Sequence, residues 1–459
     1  MIFDKKLLRK IDMKLLLAVS AIVIISLIII GSATHINNPS EERYWFVQRQ
    51  GIFAIINVGL AVFFMNFDYK MLQRYGQKMY IFNLVMLLAV MFVGQSALGA
   101  QRWIQIGPIT LQPSEFSKII MIISLATMLQ ERVGKLNTLS DLLPVAAYVG
   151  VPFLLVMKQP DLGTSLVFMA IFFGMVFTCG INLKLLAGIF GTGIACMPIL
   201  WHFLKDYQKM RIMVFMDPNV DPLGSGYHII QSKIAIGSGM LFGKGLFEGT
   251  QSQLNFLPEN HTDFIFAVVG EEWGFIGAVI LLLLYLVVLW RGVQIARQAQ
   301  DSFGTLLAVG ITSMLAFHVL VNVGMTAGIM PVTGIPLPFM SYGVSALTTN
   351  IMALQSQINP HFLNNTLEII NWEARMSGAD NVSGMIEALG TMLSATMNRK
   401  QRRFVSLAEE LSYVDAYLYI ISKRFGDRFK VYRDIDEINK ALIAFEEGIS
   451  IEEAAEWIE

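Results

Sequence analysis

Asp263 stands in the string Pro258-Glu259-Asn260-His261-Thr262-Asp263-Phe264-Ile265-Phe266, where a polar stretch gives way to an apolar run. Past Gly270, Glu271 and Glu272, residues 273–290 are almost unbroken hydrocarbon. A carboxylate at the water-side mouth of a membrane helix is costly to desolvate and reads as a functional group by default. It can meet a polar substrate head while the substrate's lipid tail stays in the bilayer. Three other strings carry chemistry-bearing side chains. Gln101-Arg102-Trp103-Ile104 precedes Leu111-Gln112-Pro113-Ser114-Glu115-Phe116-Ser117-Lys118. Pro113 suits a first helical turn, and Glu115 and Lys118, three apart, share one helix face. A capped helix end with a structural ion pair explains that pair equally well. Lys158-Gln159-Pro160-Asp161-Leu162-Gly163-Thr164 is a turn with an acid that, taken alone, is a helix cap. Residues 328–343 hold Gly328, Pro331, Gly334, Pro336, Pro338 and Gly343, which break the helix. Irregular backbone at membrane depth is tolerated where it lines a cavity or is buried in protein.

The elements that must position these groups are membrane helices. The 459 residues are 54% hydrophobic and only 15% charged, with a mean hydropathy of +0.56, which excludes an ordinary soluble domain. The apolar blocks run to roughly 18–22 residues, the length that crosses a bilayer about 30 Å thick. Candidate spans are 15–32, 51–67, 79–96, 116–129, 143–157, 164–181, 185–204, 273–290, 306–324 and 341–354. The first is read as a membrane helix and not a cleaved signal, because it is long and lacks a small-residue cleavage site. Lys70, Arg74, Lys78, Arg132, Lys135, Arg291 and Arg297 join the basic N-terminus on one side under alternating topology. That side is cytoplasmic, both termini are cytoplasmic, and Asp263 faces outward. The 205–262 loop is then external, and 227–240 within it reads either as a helix on the membrane surface or as one covering the bundle. Cys179 and Cys196 lie in apolar runs and form no disulfide framework. The six histidines show no metal-ligand spacing, and nothing points to nucleic acid.

Together these strings resemble the SEDS family of bacterial cell-wall proteins, its rod-elongation branch above all, over residues 10–354. The resemblance rests on Arg102-Trp103-Ile104-Gln105-Ile106-Gly107, Gln112-Pro113-Ser114-Glu115, Gln159-Pro160-Asp161-Leu162-Gly163-Thr164, Gly249-Thr250-Gln251-Ser252-Gln253-Leu254-Asn255, His261-Thr262-Asp263-Phe264 and Pro336-Leu337-Pro338-Phe339-Met340-Ser341-Tyr342-Gly343. It departs from the family where Val344 replaces a glycine after Gly343. The resemblance implies an all-α polytopic fold of about ten membrane helices. It also implies a peptidoglycan glycosyltransferase in the cytoplasmic membrane that polymerises lipid II during elongation. The expected partners are a class B penicillin-binding transpeptidase, other elongation-complex proteins and membrane lipid. Asp263 occupies the family's essential acid position and fits a general base. The substrate-binding residues expected around it are Arg102, Trp103, Glu115, Lys118, Lys158, Asp161, His261 and Thr262, with a divalent cation (Mg or Mn) as a further aid.

Near Leu354 the chain turns amphipathic and charged. Gln355-Ser356-Gln357-Ile358-Asn359-Pro360-His361-Phe362-Leu363-Asn364-Asn365 resembles the phosphoacceptor box of LytS/YesM-type sensor histidine kinases, with His361 as acceptor. The sequence reading therefore divides the chain into a membrane domain at 1–354, a kinase-like fragment at 355–435 and an acidic helical tail at 436–459. No glycine-rich ATP lid follows His361, so kinase activity is not expected. Two other functions stay open on the sequence: a flippase for lipid-linked precursors, which a broken helix beside a central acid would also suit, and a membrane sensor.

Overall fold

The computed structural model describes residues 12–35, 44–64, 69–97, 100–106, 109–203, 206–222, 224–299, 301–358, 388 and 414–419. The chain divides into two compact units, Met1–Leu363 and Asn364–Glu459. In the second, residues 414–419 are helical; His361 and the expected tail at 436–459 lie outside the described residues.

In the first unit ten helices fall on the ten expected spans. They are α1 (Met13–Thr34), α2 (Trp45–Phe64), α3 (Tyr69–Val93), α4 (Pro113–Leu129), α5 (Leu139–Lys158), α6 (Leu162–Thr178) and α7 (Leu183–Phe203). After the long polar segment come α12 (Gly274–Gln298), α13 (Ser302–Thr326) and α14 (Val344–Ile358). Between the two sets lie α8 (Asp206–Met216), α9 (Ser225–Ser238), α10 (Thr250–Gln253) and α11 (Ile265–Glu272). Among the described residues five stretches are long and apolar enough to cross a membrane, Met13–Thr34, Leu72–Phe92, Leu139–Lys158, Gly274–Gln298 and Ser302–Thr326. The molecule is a multi-pass helical membrane protein.

Local chemistry sets the helix ends. Asp12, Thr138, Asp161 and Asp301 accept backbone N–H bonds at the starts of α1, α5, α6 and α13, as side-chain N-caps do. Pro113 opens α4, where its missing N–H costs nothing. The core is built from α4, α6 and α13, whose Ile122, Leu125, Phe168, Ile171, Ile311 and Met314 are fully buried.

Two expectations change and one alternative is decided. Residues 95–111 form a small antiparallel sheet, β1 (Gln95–Ala97), β2 (Ala100–Ile106) and β3 (Ile109–Leu111), in the order β1-β2-β3. The alternation Arg102, Trp103, Ile104, Gln105, Ile106 suits a strand better than a helix. The last helix runs to Ile358 and not to 354, because Gln355-Ser356-Gln357-Ile358 continues it without a breaker. On the 227–240 segment, α9 buries Ile229, Ser232 and Ala235, and the Ser232 hydroxyl donates to the Thr326 carbonyl at 2.7 Å. It covers the bundle.

Candidate active site

The non-helical stretch between α13 and α14 is the scaffold of the site. In a membrane its free backbone groups need internal partners, and side chains from four helices supply them. Asn322 of α13 donates to the Ile335 carbonyl at 2.8 Å, and Tyr285 of α12 to the Pro338 carbonyl at 2.6 Å. Ser26 of α1 donates to the Met340 carbonyl at 2.6 Å, and Gln50 of α2 to the Ser341 carbonyl at 3.2 Å. Ser341 then donates to the Thr262 carbonyl at 2.6 Å, and the Tyr342 amide to the His261 carbonyl at 2.9 Å. The broken segment thus grips the turn that carries Asp263.

Asp263 is held through its backbone: its carbonyl accepts from Asn322 Nδ2 at 2.9 Å. Its carboxylate lies beside Gly334, where a Cβ would stand 3.4 Å from Oδ2. Burial lifts this carboxyl to about 6; the Glu259 carboxylate adds to the rise, while Arg211 and Arg102 pull it down. An acid placed this way holds its proton more tightly than an exposed one yet is largely ionised at neutral pH.

Asp161 gathers the strings that the sequence separates. It caps α6, accepting from the Thr164 amide at 3.2 Å and the Thr164 hydroxyl at 2.9 Å. It also accepts from Gln112 Nε2 and Ser114 Oγ, each at 3.2 Å, so it joins the start of α4 to the start of α6. Arg102, on β2, reaches the same turn: Nε donates to the Gln159 carbonyl at 3.2 Å, Nη2 donates to the Pro160 carbonyl, and Nη1 lies 4.0 Å from Asp161 Oδ1. Cap and site residue are therefore the same group.

Not every expected residue lies at the mouth. Lys118 and Glu115 form a 2.7 Å ion pair that is sealed in the bundle, Lys118 being only 1% exposed. They are expected among the substrate-binding residues, and their shared helix face turns toward the buried interior of the bundle. His261 packs its ring on Phe46 at 4.8 Å between centroids, and burial holds it below its usual range against the opposing pull of Glu259. Thr262 donates to Glu259 Oε2 at 2.8 Å. Trp103 is half-buried on β2 opposite Gln95, and Lys158 is exposed at the end of α5.

Four participants were not read from the sequence in these roles: Glu259, Arg211, Asn322 and His318. Asn322 and His318 carried a signal, as polar residues inside an apolar span. Arg211 carried none, since one basic residue in a polar loop is unremarked until folding brings it to Asp263.

The starts of α4, α6 and α11, the end of α13 and the broken segment thus define a polytopic membrane protein with an acid–arginine site at one end of its bundle. The chain belongs to the FtsW/RodA/SpoVE family of cell cycle proteins, whose family model matches residues 10–358. A second family model, histidine kinase, matches residues 349–429. The chain is 42% identical over 337 residues to the peptidoglycan glycosyltransferase MrdB of Escherichia coli K12, covering 73% of this chain and 89% of the relative. It is 38% identical over 356 residues to the stage V sporulation protein E of Bacillus subtilis, covering 76% and 96%. Among solved structures, a chain of a peptidoglycan synthase complex superposes with a TM-score of 0.66 at 30% identity, over 76% of this chain and 97% of that one. The rod shape determining protein RodA of Thermus thermophilus superposes with a TM-score of 0.57 at 29% identity, over 77% and 98%.

Proposed function

We propose that this chain is a peptidoglycan glycosyltransferase of cell elongation that polymerises lipid II, with Asp263 as general base. The observation that carries the assignment is the placement of the Asp263 carboxyl, raised to about 6 by burial and flanked by Arg102 and Arg211. In the transfer, the acceptor sugar hydroxyl attacks the anomeric carbon of the lipid-linked donor. A C–O bond forms, the hydroxyl proton passes to the Asp263 carboxylate, and the bond from the anomeric carbon to the diphosphate breaks with its electron pair. Arg102 and Arg211, whose charges act on Asp263, are the groups assigned here to offset the charge on that leaving diphosphate. Lys158, exposed at the end of α5, extends this basic rim.

Among the described residues no group of three or more His, Cys, Asp or Glu side chains converges to hold a metal. A divalent cation at the leaving group would be held by the diphosphate oxygens with one or two carboxylates, and the arginines add their charge to it. The site faces the outer side of the cytoplasmic membrane, with both termini in the cytoplasm, as the basic residues between the helices favour. A class B penicillin-binding transpeptidase is the expected partner, in keeping with the synthase complex to which the fold is similar.

Polymerisation of lipid II by purified protein tests the assignment. Asp263→Asn keeps the shape, loses the proton acceptor, and is expected to lower turnover about 10²–10⁴-fold. Undiminished glycan synthesis by that variant refutes the base. Transfer of lipid across vesicles without polymer, by the unaltered chain, would assign a flippase instead.

A further inference from the structure

The ion pair beneath the site has a third member. His318 of α13 is 1% exposed, and its Nε2 lies 3.3 Å from Lys118 Nζ. An ammonium has only donors, so Nε2 accepts and the neutral ring carries its proton on Nδ1. Nδ1 and Glu115 Oε2 are both buried with no hydrogen-bond partner. A buried charged cluster that is only partly satisfied is a poor stabiliser; apolar replacement of such groups is often neutral or favourable. Its use has to be sought in where it holds things.

One turn further along the same face of α13 is Asn322, which holds the carbonyls of Asp263 and Ile335. Two turns the other way is Gly310, where a Cβ would stand 2.7 Å from Ile122 Cγ2. Ile122 in turn lies one turn from Lys118 along α4, so α13 runs antiparallel to α4, and a side chain at 310 would require Ile122 or Met175 to shift. The first turn of α4 carries Ser114, which donates to Asp161 Oδ2, and Asp161 lies beside Arg102. One face of α13 thus connects to the base through Asn322 and to the arginine-bearing turn through His318, Lys118 and α4.

We infer that His318 is a positioning residue: by accepting from Lys118 it locks α4 to α13 and sets the spacing between Asp263 and the Asp161–Arg102 turn. The inference rests on the proposed role of Asp263. A shift of about 1 Å between reacting groups costs about 10²-fold in rate, and a change in a contact remote from the substrate's binding surface falls on kcat more than on KM.

The test is steady-state polymerisation of lipid II by the full purified chain. His318→Leu is expected to lower kcat by about 10²-fold with KM little changed. His318→Gln, whose amide oxygen can accept from Lys118, is expected to recover most of the loss. Wild-type kcat in His318→Leu, or equal losses in Leu and Gln variants, overturns the inference. Should His318→Leu fail to fold, the triple variant His318→Leu/Lys118→Met/Glu115→Gln removes both charges together with the acceptor. That variant is expected to fold and remain slow, and wild-type kcat in it overturns the inference. Asp263→Asn run alongside separates the two ideas. Full activity there removes the base and the positioning role with it, whereas an inactive Asp263→Asn beside a fully active His318→Leu removes the positioning role alone.

Discussion

Asp263 owes its reactivity to its neighbours, and two of them make the assignment testable by pH. Its carboxyl, raised to about 6, must be ionised to accept a proton, so kcat/KM is expected to rise with pH through about 6 and then level off. Glu259 contributes to the rise in that carboxyl's pKa. Glu259→Gln should therefore shift the acid limb to lower pH, and Arg211→Ala should shift it to higher pH. A pH–rate profile of the three proteins checks both directions, and a limb that stays put in both variants would leave the base elsewhere. Asp263 itself was legible in the sequence because a carboxylate against an apolar run is conspicuous. Asp161 was legible as a cap but not as the junction of three strings, since its ligands Gln112 and Ser114 reach it only across α4 and α6. Glu115 and Lys118 were legible as a pair, but helix periodicity gives their common face without saying whether that face meets substrate or core.

At the scale of elements, the ten helices could be read because each carries an apolar run, five of them among the described residues long enough to cross the hydrocarbon, while the connections between them obey no such rule. The sheet at 95–111 was missed because two of its strands are only three residues long, too short for a period to show. The tight turn after α9, packed against the start of α12, was likewise visible only as glycines. In the fold its carbonyls cap that helix: the amides of Phe275 and Ile276 donate to Met240 and Leu241 at 2.8 and 3.1 Å. Gly243 sits there at φ +83°, and a Cβ on it would meet the Glu272 carbonyl oxygen at 2.0 Å. Gly243→Ala is therefore expected to destabilise the protein by more than the roughly 1–3 kcal/mol of a left-handed non-glycine residue. Gly237, inside α9 with open space where its Cβ would be, is the control, and Ala there should stabilise by up to about 1 kcal/mol. Thermal unfolding in detergent distinguishes them; a Tm unchanged by Gly243→Ala would mean the turn does not hold α12.

For the whole molecule the question is where the membrane enzyme ends. The change of composition near Leu354 suggests a boundary there, yet α14 continues to Ile358, and the two family matches overlap at 349–358. Helix formers cross the compositional border, so charge content and backbone structure change at different places. The residues that tie α14 to the bundle reach the border and one residue past it: Leu347, Thr349, Asn350, Ala353, Leu354 and Gln355 are buried, and Ser345 Oγ accepts from the Gln112 amide at 3.2 Å at the start of α4. That last bond links α14 to the string that meets Asp161. A chain ending at Ile358 is thus expected to insert, purify and polymerise lipid II at the rate of the full chain. A chain ending at Gly343 loses α14 and its hold on Gln112, and should lose both abundance and activity. Polymerisation by the two truncated proteins decides it. If the longer one is inactive while still folded, residues after 358 act on the transfer itself, and the membrane bundle is then not the whole of the enzyme.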